Sequence, residues 1–207
     1  GLPGPCVMSD TAEGRWTTLR EAAVAVSGAL TLTVPAWLFG AMDWRPGQYA
    51  LVVGAGVTVL LALLPGLPGG APGRWKRLLR FPPLFPVLAL LTLLFMQTLN
   101  PQFDYVPTTR GLWPYRMELL PAEAYLSWLP TGYRAPFGWM NGWRQLLLLA
   151  AVFLLTVGLW TGLRHRWSIR LVLGALGLNA AALGLLSILQ QVTGAEAILW
   201  SVEAPSQ

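Results

Sequence analysis

Residues 145–163 read QLLLLAAVFLLTVGLWTGL, a run without a single Asp, Glu, Lys, Arg or His. A helix needs roughly 20 mostly apolar residues to cross the hydrocarbon core of a bilayer, because its backbone polar groups must be satisfied within the segment. This run has that length, and Arg144 and Arg164 flank its two ends. Outward from it, the blocks Leu171–Gln190, Leu84–Leu99, Tyr49–Leu64 and Ala22–Met42 repeat the pattern, again free of Asp, Glu, Lys, Arg and His. Pro35 falls inside the first block, where a membrane helix tolerates a kink. The cluster Pro65, Gly66, Pro68, Gly69 and Gly70 ends the second, and Pro86 suits the first turn of the third. The expectation is an all-α polytopic transmembrane protein with five spans and one long, partly ordered outer loop.

Composition agrees. Of 207 residues, 55% are hydrophobic and 11% charged, and the mean hydropathy is +0.54. A soluble domain carries about a quarter charged residues. The pI near 10 does not point to nucleic acid, since Lys76 is the only lysine and the arginines sit in short gaps between apolar blocks. Cys6 is the sole cysteine and His165 the sole histidine. That excludes an intrachain disulfide, a thiolate metal cluster and multi-His zinc or haem sites within this chain. No metal and no cofactor are expected. The spans also lack the intramembrane charge that ion-coupled transporters and proton relays commonly use, which disfavours transport.

Orientation follows from the basic residues in short loops. Arg15, Arg20, Arg74, Lys76, Arg77, Arg80, Arg164, Arg166 and Arg170 flank one set of helix ends, and Arg45, Arg110, Arg116, Arg134 and Arg144 the other. The larger set predicts the cytoplasmic side, so the chain is expected to run N-in and C-out. Residues 1–21 then form a cytoplasmic segment, with residues 1–7, ahead of Met8, set apart as a leader. Residues 22–99 hold spans 1–3, residues 100–142 the outer loop, and residues 143–207 spans 4–5 with a short outer tail. Trp16, Trp75, Trp160 and Trp167 fall near inner ends, and Trp37, Trp44, Trp143 and Trp200 near outer ends, the depth amphipathic indoles prefer. His165 sits between Arg164 and Arg166 in a basic, lipid-facing turn.

Small residues mark packing faces. Gly174, Gly177, Ala181 and Gly184 recur at three- and four-residue steps, so they share one face of the fifth span. Gly158 and Gly162 form a GxxxG pair at the inner end of the fourth. The partner of the Gly174 stripe is open at this point: another helix of the chain, or another membrane subunit. Asn179 and Gln190 fit interhelical or interfacial hydrogen bonds.

The outer loop holds Phe103, Tyr105, Trp113, Tyr115, Tyr125, Trp128, Tyr133, Phe137 and Trp139, with Arg110, Arg116 and Arg134 set against Asp104, Glu118 and Glu123. Two readings stand. Aromatic faces and arginine forks form a cap that contacts a saccharide, a phosphate or a lipid headgroup. Alternatively the loop is a short amphipathic element at the interface, with Pro121 in its first turn and Leu126, Trp128 and Leu129 dipping into the bilayer. Glu118 and Glu123 have no spacing that defines a catalytic pair, and no nucleotide, hydrolase or metalloprotease fingerprint is present.

Leu99-Asn100-Pro101, then Trp128-Leu129-Pro130, then Leu189-Gln190-Gln191 through Thr193-Gly194 to Ile198-Leu199-Trp200 resembles the N-terminal portion of bacterial O-antigen ligase-like membrane proteins. Those stand with the lipopolysaccharide ligases and Wzy-type polysaccharide polymerases. The likeness covers most of the chain from the first span onward, through short apolar motifs. It implies the bacterial inner (cytoplasmic) membrane and transfer of a glycan from an undecaprenyl-pyrophosphate carrier at the outer face. Members have about twice as many spans as are read here, with catalytic and carrier-binding residues mainly in later outer loops. On this reading the chain is the N-terminal membrane half of a glycan transferase, as a fragment or as a stand-alone relative, and carries no identifiable catalytic residue. Arg110, Arg116 and Arg134 are then the candidate pyrophosphate contacts, and Trp113, Trp128 and Trp139 the candidate saccharide or interface aromatics. The expected partners are the lipid bilayer, an undecaprenyl-linked glycan and other membrane subunits on the small-residue face, with no nucleic acid. The alternative class is a non-enzymatic structural subunit of a larger membrane complex.

Overall fold

The apolar blocks fold as helices, because Leu- and Ala-rich runs satisfy their backbone locally and bury what they can, and the first does so with Pro35 inside it. A computed structural model describes residues 8–38, 45–63, 73–108, 115–135, 141–193, 197–198 and 202–203. The helices are α1 (Met8–Trp37), α2 (Arg45–Leu63), the short α3 (Gly73–Leu79), α4 (Leu84–Leu99), α5 (Gly142–Gly162) and α6 (Arg166–Thr193). At the start of α5 the side chain of Asn141 accepts a hydrogen bond from the backbone N–H of Arg144 at 3.2 Å, an N-cap.

Among the described residues, three helical segments are long and apolar enough to cross a membrane: Pro46–Leu63, Gly142–Gly162 and Arg166–Thr193. The other two expected spans fall short for different reasons. α4 has 16 residues, about 24 Å at 1.5 Å per residue, against a hydrocarbon core of about 30 Å. α1 is long enough, but Arg20, Glu21, Ser27, Thr31, Thr33 and Pro35 dilute its apolar run. The end of its predicted span, at Met42, lies outside the described residues.

Helix directions follow from the contacts. Arg20 of α1 donates to the carbonyls of Leu61 and Ala62 near the end of α2, while Ser27 meets Thr58 at 2.9 Å, so the two run antiparallel. α5 lies antiparallel to α1, with Gly28 against Leu159 and Gly162 against Val24. α4 lies antiparallel to α5: Leu84 packs with Val157 near one end, and Thr98 lies beside Gly142 at the other. α6 runs parallel to α1, joined to it at Glu21–Ser168 and Trp37–Asn179.

The α1–α2–α5 core is built from small residues. Val24, Ala25 and Ala62 pack with Leu163 and Val172, and Ala55 packs with Ala151 and Leu155. A Cβ on Gly158 would come within 3.0 Å of Thr58 Cγ2 and of the Val59 backbone nitrogen. Close backbone approach of this kind is how helices associate in lipid, where no hydrophobic drive separates helix from solvent. Thr58 is fully buried, and its hydroxyl is satisfied twice: it donates to Gly54 O at 2.8 Å and accepts from Ser27.

The all-α expectation needs correcting, because the segment after α4 folds as a sheet. Strands β1 (Pro101–Pro107), β2 (Tyr115–Leu119) and β3 (Gly132–Arg134) lie in the order β2-β1-β3. Pro101 cannot continue the helix, and the aromatic and β-branched residues that follow favour extended backbone. β1 and β2 are antiparallel, with Phe103 opposite Leu119, Asp104 opposite Glu118 and Tyr105 opposite Met117. β1 and β3 are parallel, with Phe103 opposite Tyr133 and Asp104 opposite Arg134. A second, two-stranded pairing joins β4 (Ala197–Ile198) and β5 (Val202–Glu203).

Candidate functional site

Paired residues share a face of a sheet and successive residues alternate between faces. Phe103, Tyr105, Tyr115, Met117, Leu119 and Tyr133 therefore make one aromatic and apolar face. Asp104, Val106, Arg116, Glu118 and Arg134 make the other. The loop composition that the sequence leaves mixed is thus sorted by side. Tyr105 and Tyr133 stack edge to face with centroids 6.0 Å apart.

On the charged face, the two carboxylates Asp104 and Glu118 are cross-strand neighbours, a like-charge pairing that costs stability by itself. Arginines flank it. Arg116 donates through Nε and Nη2 to one oxygen of Glu118, at 3.1 and 2.5 Å, and Arg134 stands in register with Asp104 on the other side. Arg116 and Arg134 are therefore separated by acid, with the Arg116–Glu118 pair exposed to solvent. Such an array can offer hydrogen bonds of both polarities to a polar surface ligand. Of the remaining candidates in this region, Arg110, Trp113 and Trp139 lie outside the described residues. Trp128 is 76% exposed. In place of an amphipathic helix after Pro121 there is one 3-10 turn, Ala122–Ala124, and the amphipathic element is the sheet.

Asn100 holds this region together. It is buried, and its amide nitrogen donates to Leu126 O at 2.9 Å while its oxygen accepts from Leu126 N–H at 2.8 Å. Its backbone oxygen accepts from Gly132 N–H at 3.0 Å, which aligns β3 beside β1. Gly132 lies against the last turn of α4: a Cβ there would meet Gln97 O at 2.5 Å. Gln145, in the first turn of α5, reaches the Tyr133 hydroxyl at 3.5 Å. A small cleft lined by Leu94, Gln97, Thr98, Tyr133 and Gln145 lies at this junction, with a volume of about 40 Å³.

At the opposite end of the bundle is a site that the sequence reading does not single out. Glu21 is buried and accepts from the backbone N–H groups of Arg164 and His165, both at 2.7 Å, and from the Ser168 hydroxyl. His165 Nδ1 lies 2.6 Å from its other oxygen. The carboxylate of α1 thus caps the start of α6 across the bundle. Burial by itself would raise its pKa. The His165 N–H, the Ser168 hydroxyl, the Arg164 N–H and the His165 side chain together outweigh burial and hold it down at about 2. Beside this clasp, Arg77 lies over the Trp160 ring at 5.4 Å, and Trp160 Nε1 donates to Arg77 O. The only sequence signal for Glu21 is an acid at the mouth of an apolar run, and its partners lie more than 140 positions away.

The fifth-span stripe faces away from the other described residues. Among these, a Cβ on Gly174, Gly177 or Gly184 would meet nothing within 4 Å, and Ala181 is exposed. Asn179, near this stripe, makes the expected interhelical hydrogen bond, accepting from Trp37 Nε1 at 2.6 Å. Among the described residues no group of three His, Cys, Asp or Glu could hold a metal ion. Comparison with protein-family models, with curated proteins and with solved structures finds no match in any of the three.

Proposed function

We propose that the chain is the N-terminal membrane half of a lipid-linked glycan transferase of the O-antigen ligase/polymerase type, in the bacterial inner membrane. It crosses five times, N-in and C-out, and places the sheet on the outer face. The observation that carries this reading is the ordered sheet built on the ends of α4 and α5, at the opposite end of the bundle from the basic turn of Arg164 and His165. The alternating directions of α1, α2, α4 and α5, with α6 parallel to α1, suit five successive crossings. In this role the chain supplies scaffold and part of the carrier cavity, and Arg110, Arg116 and Arg134 contact the pyrophosphate.

The test is capture of a photoactivatable undecaprenyl-pyrophosphate glycan by the reconstituted protein. Reversal of the three arginines (Arg110→Glu, Arg116→Glu, Arg134→Glu) is expected to cut capture about tenfold or more, as loss of charge-assisted contacts to phosphate requires. Unchanged capture refutes the arginine role, and no capture by the unaltered protein refutes the glycan reading.

A second reading, a structural subunit of a larger complex, is favoured by the open stripe on α6. Native mass spectrometry from the protein's own membrane separates the two. A stoichiometric assembly with other chains supports the subunit, and a longer single chain supports the transferase.

A further inference from the structure

We propose that the β1–β2 hairpin is a lipid-contacting element, with the face of Phe103, Tyr105, Tyr115, Met117 and Leu119 resting in the headgroup–acyl boundary of the outer leaflet. The proposal rests on the membrane-spanning reading above. Three observations place lipid, and not water, against that face.

The first is length. α4 extends about 24 Å, less than the roughly 30 Å hydrocarbon core, and β1 begins at once after it at Pro101. A sheet starting there begins at the depth of the hydrocarbon boundary. The second is orientation. Tyr133 belongs to the apolar face, and its hydroxyl meets Gln145 in the first turn of α5, so this face is the one turned toward the helices. Asp104, Arg116, Glu118 and Arg134 point the other way, toward water. The third is exposed apolar surface. At the same helix ends Phe95 and Trp143 pack edge to face, 5.9 Å apart, and with Leu99 they are exposed. On the edge strand β2, Met117 is 55% and Leu119 63% exposed. Tyrosines at the border suit this depth, with the ring in the apolar layer and the hydroxyl at the headgroups. This would be the β-sheet counterpart of an interfacial amphipathic helix.

The test uses single-cysteine variants of the full chain in liposomes, after Cys6→Ser. Arg116→Cys, Met117→Cys, Glu118→Cys and Leu119→Cys each carry an environment-sensitive fluorophore, and quenching is measured with lipids spin-labelled near the headgroup and, in parallel, with lipids spin-labelled deep in the acyl chain. All four side chains lie on an edge strand outside the helix core, and circular dichroism confirms that each variant keeps its helical content. Quenching is expected to alternate along the strand, about threefold stronger at 117 and 119 than at 116 and 118. Equal quenching at all four positions overturns the proposal. So does a dry but unquenched signal at 117 and 119, which would mean that protein covers the face. Leu178→Cys, on the exposed surface of α6, is the control for the underlying reading. Deep-lipid quenching there without alternation in β2 sinks the hairpin proposal alone. No quenching at 178 sinks the membrane reading, and the proposal with it.

Discussion

Glu21 is the residue whose chemistry reaches furthest. Its carboxylate satisfies two backbone N–H groups and a hydroxyl at the start of α6, groups that burial would otherwise leave orphaned. Its folded pKa of about 2 lies below the ordinary value of 4.5. A depressed carboxylate stabilises the fold fully above the unfolded value, and the contribution fades as the pH falls from about 4.5 toward 2. The displacement corresponds to about 3 kcal/mol at neutral pH. Thermal unfolding in detergent should therefore show Glu21→Gln less stable than the unaltered protein by up to that amount above pH 5. The gap should narrow on acidification, and a gap that does not change with pH would contradict this assignment. The clasp is illegible from sequence for a physical reason. A carboxylate beside Arg20 at the edge of an apolar run has the same local pattern whether it faces water or caps a helix 143 positions away.

At the scale of elements, small residues on α5 and α6 look alike in sequence and behave oppositely in the fold. Gly158 is pressed against Thr58 and the Val59 backbone, whereas Gly174 faces open space. Gly158→Leu must push α5 off α2 and should lower stability by about 1–3 kcal/mol, as overpacking does. Gly174→Ala should be neutral or raise it by about 0.5–1 kcal/mol, because the helix gains propensity and meets no clash. Melting of the two variants in the same detergent checks both signs. The helices themselves were legible: the block Leu84–Leu99 is α4 residue for residue, and the reading of 145–163 meets α5 at Gly142–Gly162. Continuous apolar runs leave one structural option. The sheet was not legible, because its strands have seven, five and three residues. β3 is also brought beside β1 by Asn100 and not by a local turn. Arg116, Arg134, Asp104 and Glu118 share one segment in the sequence, but only the strand pairing sets Asp104 beside both Glu118 and Arg134.

At the scale of the whole molecule, the question is whether α4 crosses the bilayer despite its length. Its antiparallel packing on α5, from the Leu84–Val157 contact to Thr98 beside Gly142, gives it the same reach across the bundle as residues 142–157 of its neighbour. A helix about 24 Å long can span if the bilayer thins locally, at a fraction of a kcal/mol per ångström of mismatch. The aromatic border of Phe95, Trp143 and the sheet would hold the headgroups at that depth. Crossing by both α4 and α5 makes a definite pattern of access. Arg80 precedes α4, Arg164 follows α5, Glu123 lies between them, and all three side chains are exposed. In a Cys6→Ser background, a membrane-impermeant maleimide added outside intact spheroplasts should label Glu123→Cys and leave Arg80→Cys and Arg164→Cys unreacted until the membrane is opened. Labelling of 80 together with 123 would mean that α4 lies within one leaflet. The five crossings would then be reduced, and the sheet would lie on the same side as Arg80. Labelling of 80 and 164 alone from outside would leave the spans intact but invert them, against the side that the basic residues predict.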